Sequence, residues 1–465
     1  MEITKFLLSI AILGLAINMS ASVRINGLGS YFEYLIPDTE TDIELFPSYL
    51  IELESKYVQI INNANYNYYN GIYGRNIDLS LMPIAKKLFF RINANVISDD
   101  SEPRIYLNDS YNRNSTVFDG REYGAALVSN SLSYELADSF HLGCFFKYGV
   151  NWKELDDERL EIEDSDLIIH EDMDDIDYNS DFLSTGINIK FISNLKTDIS
   201  LIYSKSDIED FDIHIHDYER IYSEFDESSR SIDENLENII METKDMGISI
   251  LLEAANDEIV NRYFFESHYI QQSTEYLGER NSQRLYYDDG ELDREYEHIF
   301  ENDKMEDMEI YSVILGFGKT ITKEKWDIFF GAKLYGMYGK TMRDESYYSF
   351  DYYQNIDPDT TYTDSTITNG VNNFEIKDWK AALEVPFGVS YKLNGVVQLF
   401  GGMGLKLIRQ ELEYFEDNEF SRWETDRYIA FGTTITPFEC LKIDVNFGRD
   451  FAYFSTWQID LKYLW

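Results

Sequence analysis

STWQIDLKYLW, residues Ser455 to Trp465, sets Trp457, Ile459, Leu461, Tyr463 and Trp465 at every second position. Gln458, Asp460 and Lys462 fall between them, with Leu464 the one apolar residue in the polar series. Side chains of an extended chain point alternately to opposite faces, so this is a strand with one apolar and one polar flank. A terminal strand of a soluble domain usually frays, which would leave its aromatic last residue uncovered. The fold follows from the solvent that the apolar flank meets.

The same alternation recurs upstream. Phe140, Leu142, Cys144, Phe146, Tyr148, Val150 and Trp152 oppose His141, Gly143, Phe145, Lys147, Gly149 and Asn151. Trp326, Ile328, Phe330, Ala332 and Leu334 oppose Asp327, Phe329, Gly331, Lys333 and Tyr335, and Leu88–Val96 and Trp379–Tyr391 repeat the pattern. These stretches come in pairs joined by short polar turns. Asn76–Pro83 precedes Leu88–Val96, Tyr123–Leu136 precedes Phe140–Trp152, and Phe182–Ile192 precedes Lys196–Ser206. Asp245–Ala254 precedes Glu258–Ser273, and Met308–Ile321 precedes Trp326–Lys340. Ile376–Lys392 precedes Val396–Tyr414 across Leu393-Asn394-Gly395, a strong hairpin signal, and Arg427–Ile435 precedes Leu441–Gly448. With Lys56–Asn63 and the terminal strand the total is about sixteen strands, fourteen being the alternative, an even number as closure of an up-and-down barrel asks.

Aromatic residues sit near both ends of the apolar flanks, as in the girdles of a lipid-facing wall. A soluble β-sandwich would use shorter strands and would not alternate strictly between very short and very long connections. The expected fold is therefore all-β: a transmembrane antiparallel up-and-down β-barrel over residues 56–465, with short periplasmic turns and long acidic extracellular loops.

Composition agrees. The chain holds 36 Tyr and 30 Phe among 465 residues, with 85 Asp and Glu against 40 Lys and Arg, a net charge of -45. Such a charge argues against nucleic acid and acidic lipid surfaces as partners, and for cations. Lys5, the apolar run Phe6–Ile17 and the small residues to Ser22 read as a secretory signal peptide over residues 1–22. No later apolar run is long enough for a helical span. The expected location is the outer membrane of a Gram-negative cell, with the membrane's lipid as a partner. Cys144 falls on the lipid flank and Cys440 at a turn, so no disulfide between them is expected.

The excess acid concentrates in Glu154–Asp181, Asp207–Glu242, Thr274–Asp307 and Met342–Phe374, which read as the outward loops. A rim of carboxylates would concentrate cations at the mouth. Glu171–Asp177 and Asp357–Asp364 offer oxygens at alternate positions but lack the glycine and terminal Glu of an EF-hand, and His214-Ile-His216 lacks a third ligand. No metal residue and no cofactor is assigned. Gly316-Phe-Gly-Lys-Thr320 lacks the earlier glycine of a phosphate loop, and neither Gly-x-Ser-x-Gly nor His-Glu-x-x-His occurs. No catalytic residue is assigned and no enzymatic activity is expected. Asp78, Arg91, Lys147, Lys190, Asp198, Glu253, Lys333, Glu384, Lys406, Asp444, Asp460 and Lys462 take the lumen-facing phase, where opposite charges are expected to pair.

The final strand, with Trp457, Ile459, Leu461, Tyr463 and Trp465, resembles the C-terminal signal by which Gram-negative outer-membrane barrels are recognised for insertion. The resemblance implies the barrel-insertion machinery as a partner. Residues 23–55 are similar, more faintly, to the start of FadL-like barrels: Gly27, Gly29, Asp38, Asp42 and Pro47 match, while Phe46 and Ser48 stand where that family has Asn and Ala. That likeness implies a periplasmic, plug-like segment and carriage of hydrophobic compounds. The expected function is passage of small solutes, hydrophobic compounds among them, through a barrel with an acidic, cation-attracting mouth. The alternative is a surface or assembly barrel whose acidic loops bind a partner or divalent cations without transport.

Overall fold

A computed structural model describes residues 28, 32–53, 57–67, 70–85, 87–110, 113–163, 168–222, 227–288, 291–355, 362–414, 418–447 and 456–464. Among these residues sixteen strands follow one another in antiparallel order, and the first pairs with the last, Tyr57 opposite Leu464 and Asn65 opposite Thr456. That pairing closes the sheet into a barrel with no open edge at its base. In chain order the first eight are β1 (Tyr57–Asn67), β2 (Asn70–Ala85), β3 (Leu88–Ser110), β4 (Arg113–Ala137), β5 (Phe140–Glu163), β6 (Ile168–Phe191), β7 (Lys196–Tyr222) and β8 (Glu227–Ala255). The second eight are β9 (Ile259–Asp288), β10 (Glu291–Lys323), β11 (Trp326–Asn355), β12 (Tyr362–Lys392), β13 (Val397–Tyr414), β14 (Asn418–Phe438), β15 (Leu441–Phe447) and β16 (Thr456–Leu464). Each hairpin read from the sequence is present.

The turns at one end are built locally. Asn394 Oδ1 accepts from the backbone N–H of Val396 and of Val397, both at 2.8 Å, and Asn256 Oδ1 accepts from Glu258 and Ile259. Glu324 takes a left-handed φ of 43° in the turn between β10 and β11. Neighbouring turns also bond to one another, for instance Ile192 N–H to Ser139 C=O at 3.0 Å and Thr322 N–H to Glu258 C=O at 2.8 Å.

The alternation sorts side chains as the sequence implied. Ile187, Leu201, Leu315, Leu334, Met403 and Ile429 are exposed on the outer surface, while Phe145, Lys190, Asp198, Arg262 and Phe329 are buried on the inner one. Rings pair at both borders of the outer belt: Phe140 with Phe191 and Trp326 with Tyr391 near the turns, Tyr269 with Tyr311 and Tyr338 with Trp379 further up. At about 3.3 Å per residue and a tilt near 40°, the run from Trp326 to Tyr338 crosses roughly 30 Å, the thickness of a hydrocarbon core. On β16, Leu461 and Tyr463 point outward and Asp460 and Lys462 are buried inward. The side chain of Trp457, and Trp465 as a whole, lie outside the described residues. Cys144 is exposed on the outer flank of β5 and Cys440 in the turn before β15, both as free thiols.

The long loops need correction. Glu154–Asp181, Asp207–Glu242, Thr274–Asp307 and Met342–Phe374 are, for nearly their whole length, continuations of the strands, so that β10 reaches 33 residues and β12 31. Glu171–Asp177, weighed as a cation loop and not assigned as one, is part of β6. Residues 357–361 and the side chains of His214 and His216 lie outside the described set. Polarity misled because a wall standing above the membrane meets water on both faces and loses its apolar period, while cross-strand pairing persists. Arg343 faces and pairs with Glu306, and His298 Nδ1 lies 2.7 Å from Asp351 Oδ1, its cross-strand neighbour.

Candidate functional site

Between Ile25 and Ser55 the sequence carries Glu33, Asp38, Glu40, Asp42, Glu44, Glu52 and Glu54 and no Lys or Arg. Part of this stretch forms a short helix, α1 (Thr39–Leu45), with Asp38 as its N-cap: Asp38 Oδ1 accepts from Thr41 N–H at 3.1 Å. Glu40 and Asp42 in the first turn suit the positive helix end. Pro47 then opens a 3-10 turn, Pro47–Glu52. Seven residues of helix do not persist alone in water, so tertiary contacts hold it.

Those contacts place the segment inside the barrel. Arg262 on β9 meets Asp42 and the Ile36 carbonyl, Arg91 on β3 meets Glu44, Lys190 on β6 meets Glu52, and Lys462 on β16 meets Glu40. Leu28 lies against Gly402 on β13 and Leu35 against Gly318 on β10. Only from within can one short segment touch strands on all sides of a closed ring. All these strand residues lie near the short turns, so the segment occupies that end of the lumen.

Charge pairing is the main polar bond. Arg262 is 2.9 Å from both Asp42 oxygens, 2.7 Å from Glu253 Oε2 and 2.9 Å from the Ile36 carbonyl. Glu44 bridges Arg91 at 2.7 Å and Lys147 at 2.9 Å. Lys190 reaches Glu52 at 2.7 Å and stands 3.1 Å above the Tyr49 ring. Lys196 joins Glu52 to Glu253 at 3.4 and 3.2 Å. Burying charges on this scale is tolerable only because each meets a partner. The lumen charges were expected to pair among themselves; Glu384 with Lys406 and Lys190 with Asp198 do so, Glu253 pairs with Arg262 and Lys196 and Asp444 with Lys442, and Arg91, Lys147, Lys190 and Lys462 pair with the segment.

Burial alone would raise Glu40, but the Lys462 ammonium in contact with it, backed by Lys442, holds it down at about 2. Glu44 and Glu52 are likewise lowered against burial, by Lys147 and Arg91 and by Lys190 and Lys196. Glu33 behaves oppositely: burial outweighs the pull of Lys333 and pushes it up to about 7.

Apolar contact completes the seat. Ile43, Phe46, Tyr49 and Leu50 pack with Phe89, Leu251 and Phe264, and Leu28, Phe32 and Ile36 with Phe329 and Phe400. Tyr34, in a left-handed conformation at φ 61°, stacks on Phe264 at 5.0 Å. Three glycines admit the segment's backbone, Gly143 beside Ser48 N among them. A Cβ on Gly318 would come within 1.8 Å of the Leu35 carbonyl oxygen, and one on Gly402 within 1.9 Å of that of Leu28. The phosphate-loop echo at Gly316–Thr320 is thus a strand that a backbone crosses.

Of the plug-like positions, Asp38 caps α1, Asp42 binds Arg262 and Pro47 begins the 3-10 turn; Gly27 and Gly29 lie outside the described residues. The departures from the FadL-like pattern are themselves engaged. Phe46 is fully buried, and Ser48 donates through its N–H to Asn188 Oδ1 at 3.0 Å and through its hydroxyl to Asp198 at 2.9 Å. The sequence reading missed Glu40, Glu44, Tyr49, Glu52 and Arg262. Its usable signal was the run of acids without a single base.

Above the segment the inner face stays polar. His268 lies between Asp245, 2.9 Å away, and Glu266, 3.0 Å away, with its ring over Gly247. Further up, a cleft of about 440 Å³ is lined by Asp233, Glu237, Tyr276, Arg280, Phe300 and Asn302. These residues keep the inward phase of Leu251 on β8, Arg262 on β9 and Gly318 on β10, so the cleft opens into the lumen.

No family model matches the chain, and no curated protein matches it. Solved structures similar to it are a monoaromatic hydrocarbon channel, CymD, with 10% identity over 96% of this chain and 98% of that one at a TM-score of 0.37. Two others are the siderophore receptor PirA of Acinetobacter baumannii, with 8% identity over 88% and 80% at 0.31, and the iron transporter FrpB of Neisseria meningitidis, with 6% over 92% and 83% at 0.31. All are outer-membrane barrels. At these scores the likenesses decide neither family nor cargo.

Proposed function

We propose that the chain is an outer-membrane passage for small polar solutes, favouring cations at its mouth, and that residues 32–53 keep it shut at the periplasmic end. The observation that carries this reading is the seating of the acidic segment across the lumen by ion pairs to Arg91, Lys147, Lys190, Arg262 and Lys462. Ion pairs between two surfaces can exchange for other partners, whereas a covalent stopper cannot. The carboxylates along the upper wall favour entry of cations. Asp233, Glu237, Arg280 and the His268 cluster support polar cargo over hydrophobic compounds, since an apolar solute would displace the water around these groups without replacing its hydrogen bonds.

Proteoliposomes holding protein that lacks residues 23–53 test the reading. Small amines and sugars should enter faster than into empty vesicles. Equal uptake with and without the protein would end the transport reading.

A further inference from the structure

The barrel wall is uneven. β12 pairs with β11 from Tyr362 opposite Asn355 to Tyr391 opposite Trp326, interrupted at Gly331 and Ala332. Its pairing with β13 stops at Ile376 opposite Tyr414, because β13 and β14 turn back there, Tyr414 facing Asn418. Among the described residues, Thr363–Asn373 therefore has a β neighbour on one side only. On the other side, alternate N–H and C=O groups point outward with no strand beside them. Thr363–Asn369 and Val371–Asn373 are exposed, Ile367 at 62% and Val371 at 74%.

Such an edge invites pairing, and proteins normally guard it with charge, proline or a bulge. The second edge of the same wall is guarded. β3 pairs with β2 only as far as Ile97 opposite Gly74, and Ser98–Ser110 beyond carries Asp99, Asp100, Glu102, Pro103 and Asp109. The β12 edge reads Ser365-Thr-Ile-Thr-Asn-Gly-Val-Asn-Asn-Phe374, with no charge and no proline in a chain of net charge -45. Asp364 and Glu375 flank it, with Asp344 across on β11.

We propose that Thr363–Asn373 is a docking edge for an extended segment of a partner protein, uncharged and β-branched at its centre and basic at its ends. Main-chain hydrogen bonds supply the affinity, as in strand addition, and Ile367 and Val371 meet the partner's outward side chains. The flanking carboxylates select the basic ends. A second copy fits less well: in the same membrane its β12 runs in the same direction, and its β3 edge brings acid against acid.

The probe is a synthetic peptide of alternating threonine and valine with paired lysines at each end, added to protein of residues 23–465 in nanodiscs. Hydrogen exchange of the free protein should show alternate fast amides within residues 363–373, slowed by about tenfold or more on saturation with peptide. A glutamate-ended peptide should bind about tenfold more weakly or worse, and so should the lysine-ended peptide to Ile367→Lys/Val371→Lys. Both substituted side chains are exposed, and retained protection of the lower strands checks that the barrel is intact. Absence of slowing at these amides, or equal slowing by a proline-interrupted peptide, overturns the proposal. So does a dimer of the wild-type protein that the double variant abolishes, because it assigns the edge to a second copy.

Discussion

Arg262 satisfies Asp42, Glu253 and the Ile36 carbonyl at once. Replacing it by methionine leaves two buried carboxylates facing each other, a loss of about 3–5 kcal/mol in the seating of the segment. Limited proteolysis should then cut within residues 32–53 at least a hundredfold faster, with the barrel itself resistant. Glycine substitutions make a sharper pair. Gly318→Ala collides with the Leu35 backbone, whereas a Cβ on Gly336 meets nothing within 4 Å. The first should free the segment and the second should not, read by the same proteolysis. The seating also depends on pH, through groups of opposite sign. Glu40, held at about 2, contributes seating that is full above its free value near 4.5 and lost as pH falls towards 2. Glu33, raised to about 7, favours seating while protonated, and that contribution fades as pH rises from about 4.5 to 7. Protease resistance of the segment should therefore be greatest near pH 4.5, falling towards pH 2 as Glu40 protonates and towards pH 7 as Glu33 ionises; a monotonic dependence would contradict the two assignments. Little of this was legible in the sequence. Asp38, Asp42 and Pro47 were marked by their resemblance, but Arg262 reads as an ordinary polar residue of a strand until Asp42 is brought to it across the fold.

Strands were the most readable elements because hydrocarbon imposes a strict period of two. Phe140–Trp152 and Trp326–Leu334 show their outer faces without ambiguity. Ile187, 57% exposed near the middle of the belt, is the place to test that solvent: Ile187→Arg should cost about 2–4 kcal/mol, measured as a shift of the urea midpoint for folding into vesicles. No destabilisation would mean that the flank does not meet lipid. The upper halves of the same strands were not readable as strands. Between Tyr338 and Asn355 β11 climbs roughly another 40 Å above the belt, where water wets both faces and Tyr, Ser and acid follow no period. What keeps such a wall paired is cross-strand chemistry of the Arg343–Glu306 kind, which needs the register before it can be recognised.

At the scale of the whole molecule, charge is divided by height. The upper wall is acidic, the lower lumen wall carries Arg91, Lys147, Lys190, Lys196, Arg262, Lys442 and Lys462, and the segment supplies most of the acids that meet them, with Glu253 and Asp444 of the wall beside it. The net charge of -45 gave no hint of this basic collar, because it is small in number and matters only by being gathered in one ring. Strand count and closure were legible from hairpin spacing; the uneven height of the wall was not, since it depends on where β13 and β14 turn. The most direct measurement is ionic conductance in planar bilayers, comparing protein of residues 23–465 with protein of residues 54–465. The shortened protein should conduct steadily where the longer protein is nearly silent. Equal conductance of the two would show that the segment closes nothing.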